Sequence, residues 1–356
     1  MSGQKVKVAL LFGGRSAEHD ISLISAAAVF RNLDRENFDI ISIYINTEGR
    51  WRYVESPLLQ KDELIEGTFL SFLPWGGQSA GIPVDVDIYF PVLHGPYGED
   101  GTIQGFLEMA DVPYVGAGVL SSAGCMDKAA AKILFKANGL PIVKHLTIHE
   151  PAWRSGKKEI LQQITDELRL PIFVKPANMG SSIGISKVAD LRKTADAVEL
   201  ALKFDIKVVV EQGVAGRELE CSVLGNEKPR ASFPGEVLPY REFYDYSDKY
   251  IDGKTQFIIP APLSPEMTGY VQKLAVDAYK TLECSGMARI DFFLEDKTEK
   301  LFLSEINTIP GFTDISMYPK LWEASGIPFP ELLNILIDLG VSRHKHKKRK
   351  GIHFKP

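Results

Sequence analysis

Two strand-like segments in the last third of the chain bring together side chains that could do chemistry. The first reads ARIDFF and the second LSEIN. Side chains two positions apart on a strand share a face, so Arg289 and Asp291 point the same way. Glu305 and Asn307 share a face of the second strand for the same reason. The polar run 295–300 predicts a hairpin loop between the strands, so one face gathers two carboxylates, an amide and a guanidinium.

This set of donors favours a magnesium site. Two close carboxylates in a partly buried site are costly unless a cation neutralises them. Oxygen ligands without His or Cys select a hard ion, and Glu305 could bridge two ions, as phosphoryl-transfer sites often require. We therefore predict a magnesium site at Asp291, Glu305 and Asn307, in which Glu305 could bridge two ions. The alternative is a structural salt bridge from Arg289 to one carboxylate, which leaves the other carboxylate and the amide without a role.

The segment TIPGFT follows the second strand directly. A glycine after proline lets the backbone approach a ligand closely and offer its N–H. Gly311 and Arg289 would then be two donors for a developing oxyanion.

Phosphate-handling features precede the hairpin. The loop KPANMGSSIG, residues 175–184, links two predicted strands and lacks the GK[ST] of a Walker A loop. Its Gly and Ser residues could still present several N–H groups to phosphate, with Lys175 adding a compact charge. Glu211 ends a strand whose backbone could read an adenine edge, and Glu218 could accept from ribose hydroxyls. Each of these acids could equally be a solvated surface residue.

Two polar segments follow strands of the first domain. HGPYGEDG begins at His94, and FGGRSAEH contains Glu18. Residues at the carboxyl ends of parallel strands face the ligand crevice of such a domain. A dinucleotide site is not expected, because the G-x-G-x-x-G spacing is missing and the second strand ends at Asn46 rather than at an acid.

The elements that must position these residues change character along the chain. Strands and helices alternate first, which predicts a parallel sheet covered by helices, and the later part is richer in strands. We expect an α/β and α+β fold, with a Rossmann-like domain followed by two α+β subdomains that form the jaws of a cleft. The expected units are an N-terminal substrate-binding domain, a central subdomain, a C-terminal subdomain with the metal site and a solvated, frayed basic tail, at 1–121, 122–215, 216–342 and 343–356.

Composition excludes several other classes of protein. The 356 residues carry a formal net charge of -5, which gives no reason to expect nucleic acid. No segment is long and apolar enough to predict a membrane span. Cys125, Cys221 and Cys284 form no CxxC pair, which argues against a disulfide framework or a zinc site and for a reducing cytoplasm.

Two stretches closely resemble the signatures of D-alanine–D-alanine ligases, members of the ATP-grasp superfamily. They are HGPYGEDGTIQG and GMARIDFFLEDKTEKLFLSEINTIPG. The order GGRSAEHDIS, MDKAAAK, FVKPANMGSSIG, EQGVAGRELE and FYDYSDKY also follows that family. The resemblance runs from about Val6 to about Leu339 and implies an ATP-grasp fold.

The resemblance also implies roles for individual residues. Those implied to bind ATP are Lys128, Lys175, Gly180, Ser181, Ser182, Glu211, Val214 through its backbone, Glu218 and Lys249. Those implied to bind substrate are Glu18, His94, Lys249, Tyr250, Arg289, Ser316 and Met317. The implied catalytic set is Glu18, Ser181, Tyr250, Arg289 and Gly311. Asp291, Glu305 and Asn307 would bind the two metal ions.

The implied reaction joins two D-alanine molecules for peptidoglycan precursor synthesis. The first carboxylate attacks the γ-phosphate of ATP, and the second amine then attacks the acyl phosphate and expels phosphate. Relatives that prefer D-lactate commonly carry Phe where this chain has Tyr250, so the dipeptide is expected. A homodimer formed through the first domain and a cytoplasmic location are also implied.

Four other functions compete with this interpretation. They are a D-alanine–D-lactate ligase, another ATP-grasp amino-acid ligase, a non-catalytic nucleotide sensor and an NAD-dependent oxidoreductase. A sensor has no need of the hairpin residues, and the missing glycine fingerprint speaks against the oxidoreductase.

Overall fold

Three β-sheets organise the protein, in a computed structural model that describes residues 5–57, 67–70, 86–238 and 255–349. Lys249 and Tyr250, two of the expected site residues, lie outside these ranges. The expected mixture of α/β and α+β architecture is confirmed. The four-part division of the chain stays a prediction.

The first sheet has the strand order β4-β3-β2-β1-β5. Its strands are β1 (Val6–Gly13), β2 (Phe38–Ile45), β3 (Trp51–Val54), β4 (Thr68–Phe69) and β5 (Ile88–Val92). The accompanying helices are α1 (His19–Asn32), α2 (Thr102–Met109) and α3 (Val119–Met126). β1 runs parallel to β2 and β5, as the alternating pattern predicted. β3 and β4 extend the sheet in antiparallel fashion.

The second sheet is antiparallel, in the order β6-β9-β7-β8. Its strands are β6 (His145–His149), β7 (Ile172–Pro176), β8 (Ser186–Val188) and β9 (Lys207–Gln212). Helices α4 (Lys128–Ala137), α5 (Glu150–Glu167) and α6 (Thr194–Ala201) belong to this region. Asp127 caps α4, because its carboxylate accepts hydrogen bonds from the N–H groups of Ala129 and Ala130 at 3.1 and 3.0 Å. The cap fixes the first turn of α4, which carries Lys128.

The third sheet holds the predicted hairpin. Its path is β13-β12-β10-β14-β15, and β11 pairs with β10. The strands are β10 (Gly216–Leu224), β11 (Arg230–Ala231), β12 (Gly235–Leu238), β13 (Gln256–Ile258), β14 (Met287–Glu295) and β15 (Leu301–Asn307). Helix α7 (Pro265–Thr281) packs on one face through Val271 and Ala275, in a core cluster that includes Leu219 and Ile290. The opposite face of β14 and β15 is therefore left for the polar side chains.

One hydrophobic core joins the two ends of the chain. Leu10 and Phe12 of β1 belong to the same buried cluster as Phe312, which follows β15. The cluster also includes Trp322 and other apolar residues of the C-terminal helices α8 (Met317–Ala324) and α9 (Phe329–Lys348). Burial of this apolar surface holds the segment after β15 against the first sheet. The loop that carries Gly311 is thereby fixed beside the residues that follow β1 and β5.

The expectation of a frayed basic tail is wrong for residues 343–348. These residues continue α9, and Arg343 donates hydrogen bonds to the carbonyl oxygens of Gly116 and Tyr114. Lys347 donates to Glu108 in the first domain. Basic side chains that find acceptors on another element lose the freedom that a frayed tail would have.

Among the described residues, no single helix is long and apolar enough to cross a membrane. The pair α8 and α9, bent by 105°, passes the same test of length and composition only when taken together.

Candidate active site

The hairpin of β14 and β15 places its polar side chains on one face. In the strand register, Arg289 lies opposite Asn307 and Asp291 opposite Glu305. The Asn307 amide donates to Asp291 Oδ2 at 3.0 Å. The intervening Ile290 is buried on the other face, so the expected alternation is confirmed.

Arg289 is held by two carboxylates in this structure. It donates to Asp291 from Nε at 2.8 Å and from Nη2 at 2.7 Å. Its Nε also lies 3.0 Å from Glu220 Oε2 on β10. Burial disfavours the guanidinium charge, but Asp291 and Glu220 outweigh it and raise the pKa of Arg289 well above its usual value. The salt bridge that we weighed as an alternative is therefore present.

Glu220 was not among the expected site residues. It lies opposite Asp291 in the register between β10 and β14. Its spacing from Glu218 in RELEC places both acids on one face of a strand, which was the available signal. The partner strand could not be identified from that spacing.

The hairpin residues fit a hard cation by donor type and alignment. Asp291 and Glu305 face each other across the strand pair, and Asn307 adds an amide oxygen. Among the described residues, no group of three or more His, Cys, Asp or Glu side chains could hold a metal ion. A metal ion here would therefore need ligands from water or a bound phosphate in addition to the side chains. Asp291 would also have to give up part of its contact with Arg289 in order to bind the ion.

The Gly/Ser loop between β7 and β8 meets the first domain at a buried carboxylate. Ser181 donates a hydrogen bond to Glu18, which precedes α1. A Cβ on Gly180 would lie 2.7 Å from a Glu18 carboxylate oxygen, and a Cβ on Gly95, at φ +74°, would lie 2.5 Å from it. Both glycines are required by this close approach. Ser181 and Ser182 have φ of 49° and 59°, so the loop is held in a left-handed conformation that side chains rarely adopt.

Lys128 connects the Gly/Ser loop with the hairpin. Its Nζ donates to the carbonyl oxygen of Met179 at 2.7 Å. The same atom lies 3.4 Å from Glu305 Oε2. One ammonium group therefore ties the loop to an expected metal ligand.

A second cluster of charges lies beside the cleft, between α4, β7 and β9. Glu211 is buried, and its carboxylate oxygens lie 2.8 Å from Lys132 Nζ and 2.7 Å from Lys175 Nζ. Burial alone would raise the pKa of Glu211, but the two ammonium groups lower it below its usual value. Lys132 was missed in the sequence, although it lies one helical turn after Lys128 and so shares its face of α4.

His94 is buried and neutral. Its Nδ1–H donates to the carbonyl oxygen of Ile309 at 3.1 Å, and its Nε2 accepts from the Ser25 hydroxyl at 2.9 Å. Burial lowers the pKa of His94 to about 4. His94 therefore links the end of β5 to α1 and to the segment after β15.

Glu99, in the HGPYGEDG segment that was expected to face the crevice, lines the cleft, although it was not named among the expected site residues. It accepts a hydrogen bond from the Gly95 N–H at 2.9 Å. Burial, with the neighbouring charge of Glu18, raises the pKa of Glu99 to about 8.

The segment after β15 forms the floor of the cleft. The Ser316 hydroxyl accepts from the Thr313 N–H at 3.0 Å, and Met317 begins α8. A Cβ on Gly311 would lie 2.6 Å from Ser316 Oγ, so a larger residue would displace the serine. Gly311 thus keeps this turn tight.

One cleft unites most of the expected residues. The expected residues that line it are Glu18, His94, Lys128, Gly180, Ser181, Arg289, Glu305, Asn307, Gly311, Ser316 and Met317. Those expected residues that the structure describes but that do not line it are Lys175, Ser182, Glu211, Val214, Glu218 and Asp291. Lys249 and Tyr250 belong to the undescribed range 239–254.

Comparisons with known proteins match nearly the whole chain. The family models described as "D-ala D-ala ligase N-terminus" and "D-ala D-ala ligase C-terminus" match residues 7–117 and 134–338. The D-alanine–D-alanine ligase of Natranaerobius thermophilus is 43% identical over 361 residues, covering 99% of each chain. The solved structure of the D-alanine–D-alanine ligase from Coxiella burnetii has a TM-score of 0.87 and 37% identity, covering 98% of this chain and 97% of that one. The VanG D-Ala:D-Ser ligase from Enterococcus faecalis has a TM-score of 0.81 and 35% identity, with coverages of 94% and 99%.

Proposed function

Because the chain belongs to the D-alanine–D-alanine ligase family, we propose that it joins two D-alanine molecules into D-alanyl-D-alanine at the expense of ATP. The product would serve peptidoglycan precursor synthesis. The relatives reported above favour an amino acid over D-lactate as the second substrate.

The observation that carries the proposal is the meeting of three elements in one cleft. Glu18 comes from the first domain, Ser181 from the Gly/Ser loop and Glu305 from the hairpin. An amino acid held at Glu18 would lie close to a nucleotide phosphate held by the loop. In the proposed reaction the substrate carboxylate attacks the phosphate directly, without a covalent intermediate on the protein. The two groups must therefore be held close together.

The nucleotide would lie between the second and third sheets. Lys128 and Lys175 would contact its phosphates, and the loop of Gly180, Ser181 and Ser182 would cover them. Adenosine would be held by Glu211, the Val214 backbone and Glu218. Two Mg²⁺ or Mn²⁺ ions at Asp291, Glu305 and Asn307 would offset phosphate charge when bound.

Glu18 would hold the ammonium of the first D-alanine, with Ser181 fixing the carboxylate of Glu18 in place. Arg289 and the Gly311 N–H would stabilise the oxyanion that forms when the second amine attacks the acyl phosphate carbonyl. Ser316 and Met317 would receive the carboxylate of the second D-alanine. Neutral His94 would line the first substrate's pocket without adding a charge.

Lys249 and Tyr250, within the undescribed range 239–254, are proposed to close over the bound substrates. Exclusion of water would protect the acyl phosphate from hydrolysis. A homodimer formed through the first domain and a cytoplasmic location are proposed from the same family resemblance.

Phosphate release from ATP, with identification of the product, tests this proposal. We expect release with D-alanine and magnesium, none with L-alanine, and D-alanyl-D-alanine as the product. Each of D-serine and D-lactate is then offered beside D-alanine at neutral pH. Predominant D-alanyl-D-lactate would contradict the proposed product, and no phosphate release with any of these substrates would contradict the ligase itself.

A further inference from the structure

Lys132 is a fully buried cation that the proposed reaction does not use. Its side chain is 1% exposed, and its Nζ lies 2.8 Å from Glu211 Oε1. The same atom lies 3.4 Å from the carbonyl oxygen of Ser304 on β15. Both of these contacts are with the protein's own groups, so the Lys132 ammonium is already occupied within the fold.

Glu211 has one more cation than it needs. Its second oxygen lies 2.7 Å from Lys175 Nζ, so a single carboxylate serves two ammonium groups. The charges of Lys132 and Lys175 together hold the pKa of Glu211 below its usual value, against the effect of burial. One of the two cations could leave without creating a buried carboxylate that lacks a counter-ion.

The two lysines differ in their ability to leave. Lys175 is the more accessible, with a side chain that is 12% exposed compared with 1% for Lys132. Lys175 ends β7 directly before the Gly/Ser loop, whereas Lys132 is enclosed between α4, β9 and β15. Lys175 is therefore better placed than Lys132 to leave Glu211.

We propose that Lys132 is the resident counter-ion of Glu211, and that it allows Lys175 to exchange Glu211 for a nucleotide phosphate. This inference rests on the proposed function, in which Lys175 contacts the phosphates of ATP. Lys132 is a positioning residue, because it acts through Glu211 and Lys175. Without Lys132, Glu211 would retain Lys175 as its only cation, and the phosphates would lose a contact.

The test compares nucleotide binding with and without phosphates in the full-length protein. Lys132→Met removes the charge while keeping most of the side-chain volume. Lys136→Met, one turn further along α4 at an exposed position, is the matched control. The inhibition constants of magnesium-ADP and of adenosine against ATP are measured for each variant, together with the KM for D-alanine.

We expect Lys132→Met to raise the inhibition constant of magnesium-ADP at least tenfold. The constant for adenosine and the KM for D-alanine should change less than twofold, and Lys136→Met should match the wild type. An equal rise in the inhibition constants of magnesium-ADP and adenosine would overturn the proposal, because it would mean that Lys132 affects only the part of the site that binds adenosine. No rise for ADP would overturn it as well.

If Lys132→Met does not fold, a second variant tests the same proposal. Glu211→Gln removes the competitor for Lys175, so the ratio of the ADP constant to the adenosine constant should stay equal to that of the wild type or fall. A rise in this ratio would overturn the proposal. Failure of wild-type protein to bind magnesium-ADP would instead count against the proposed function, which separates the two ideas.

Discussion

Arg289 is shared between Asp291 and Glu220, and removal of the Glu220 charge should weaken catalysis as well as stability. Among the described residues, Glu220→Gln leaves Asp291 as the one carboxylate in an ion pair with the guanidinium. Arg289 would then hold Asp291 more tightly, so Asp291 would release Arg289 less readily to bind a metal ion. The variant should need more magnesium and turn over more slowly.

The third sheet offers a matched control for this change. Glu236 is 5% exposed and Glu220 is 7% exposed, and each is paired with one arginine. Arg217 donates to Glu236 at 2.8 and 2.6 Å, and neither residue lines the cleft. Arg289 and Glu220 form a buried ion pair at 3.0 Å. A contact of a charged group contributes about 1.5–3 kcal/mol, so the loss of either carboxylate charge should lower the free energy of unfolding by a similar amount.

The catalytic loss is expected for Glu220→Gln alone. If the same 1.5–3 kcal/mol is lost from the reacting complex, kcat/KM should fall about 10- to 100-fold, since about 1.4 kcal/mol corresponds to a factor of ten. Urea unfolding measures the stability of both variants, and phosphate release measures turnover as magnesium is varied. Equal activity per folded molecule in Glu220→Gln and Glu236→Gln would refute the reasoning.

Three further changes test other parts of the site and fold. Glu305→Gln should lower turnover by about two orders of magnitude with the melting temperature nearly unchanged, since it removes one of two facing carboxylates; near-normal phosphate release would exclude a shared metal ligand. Because the pKa of His94 is about 4 against 6.5 when exposed, the unfolded state binds more protons between these values. The free energy of unfolding should therefore fall by roughly 3 kcal/mol as pH drops from 6.5 to 4, and urea titrations should show a shallower fall for His94→Gln. Arg343→Ala should lose about 2 kcal/mol or more through its carbonyl acceptors, whereas the exposed Lys345→Ala should stay within about 0.5 kcal/mol in the same titrations; equal losses would show that the Arg343 contacts contribute nothing.

The hairpin was predictable because its geometry is local. The two-residue period of a strand places Arg289 with Asp291, and the polar run before β15 fixes where the strands turn. Contacts between distant strands have no such local signal. The pairing of Arg289 with Glu220 depends on the register between β10 and β14, which propensities do not determine.

Helix α5 (Glu150–Glu167) was not among the predicted elements, although its sequence carries a signal. Ile160, Leu161 and Ile164 follow helical spacing and pack in one core cluster with Trp153. The basic segment at the end of α9 was misinterpreted for a different reason. Its acceptors Glu108 and Asp111 lie far away in the sequence, and a charge run alone suggests a solvated tail.

The two charge clusters on either side of the cleft follow one physical rule. Glu211 lies between two ammonium groups, and Arg289 lies between two carboxylates. In each cluster the central charge has two partners of opposite sign. One partner could therefore leave to bind a ligand, and the central charge would still be paired with the other. Ligand binding would then be an exchange of ion pairs, and the paired charges cost less to keep in the cleft than unpaired ones would.

This rule also couples the two sides of the cleft. Lys128 lies 3.4 Å from Glu305 and donates to the Met179 carbonyl, so it belongs both to the hairpin and to the Gly/Ser loop. A cation at Glu305 would compete with Lys128 for the same carboxylate and repel it toward the loop. Metal binding would thereby strengthen the positive field around the loop at the moment when a phosphate needs it. We therefore expect magnesium and nucleotide to bind this chain cooperatively, each favouring the ion-pair exchange that the other requires.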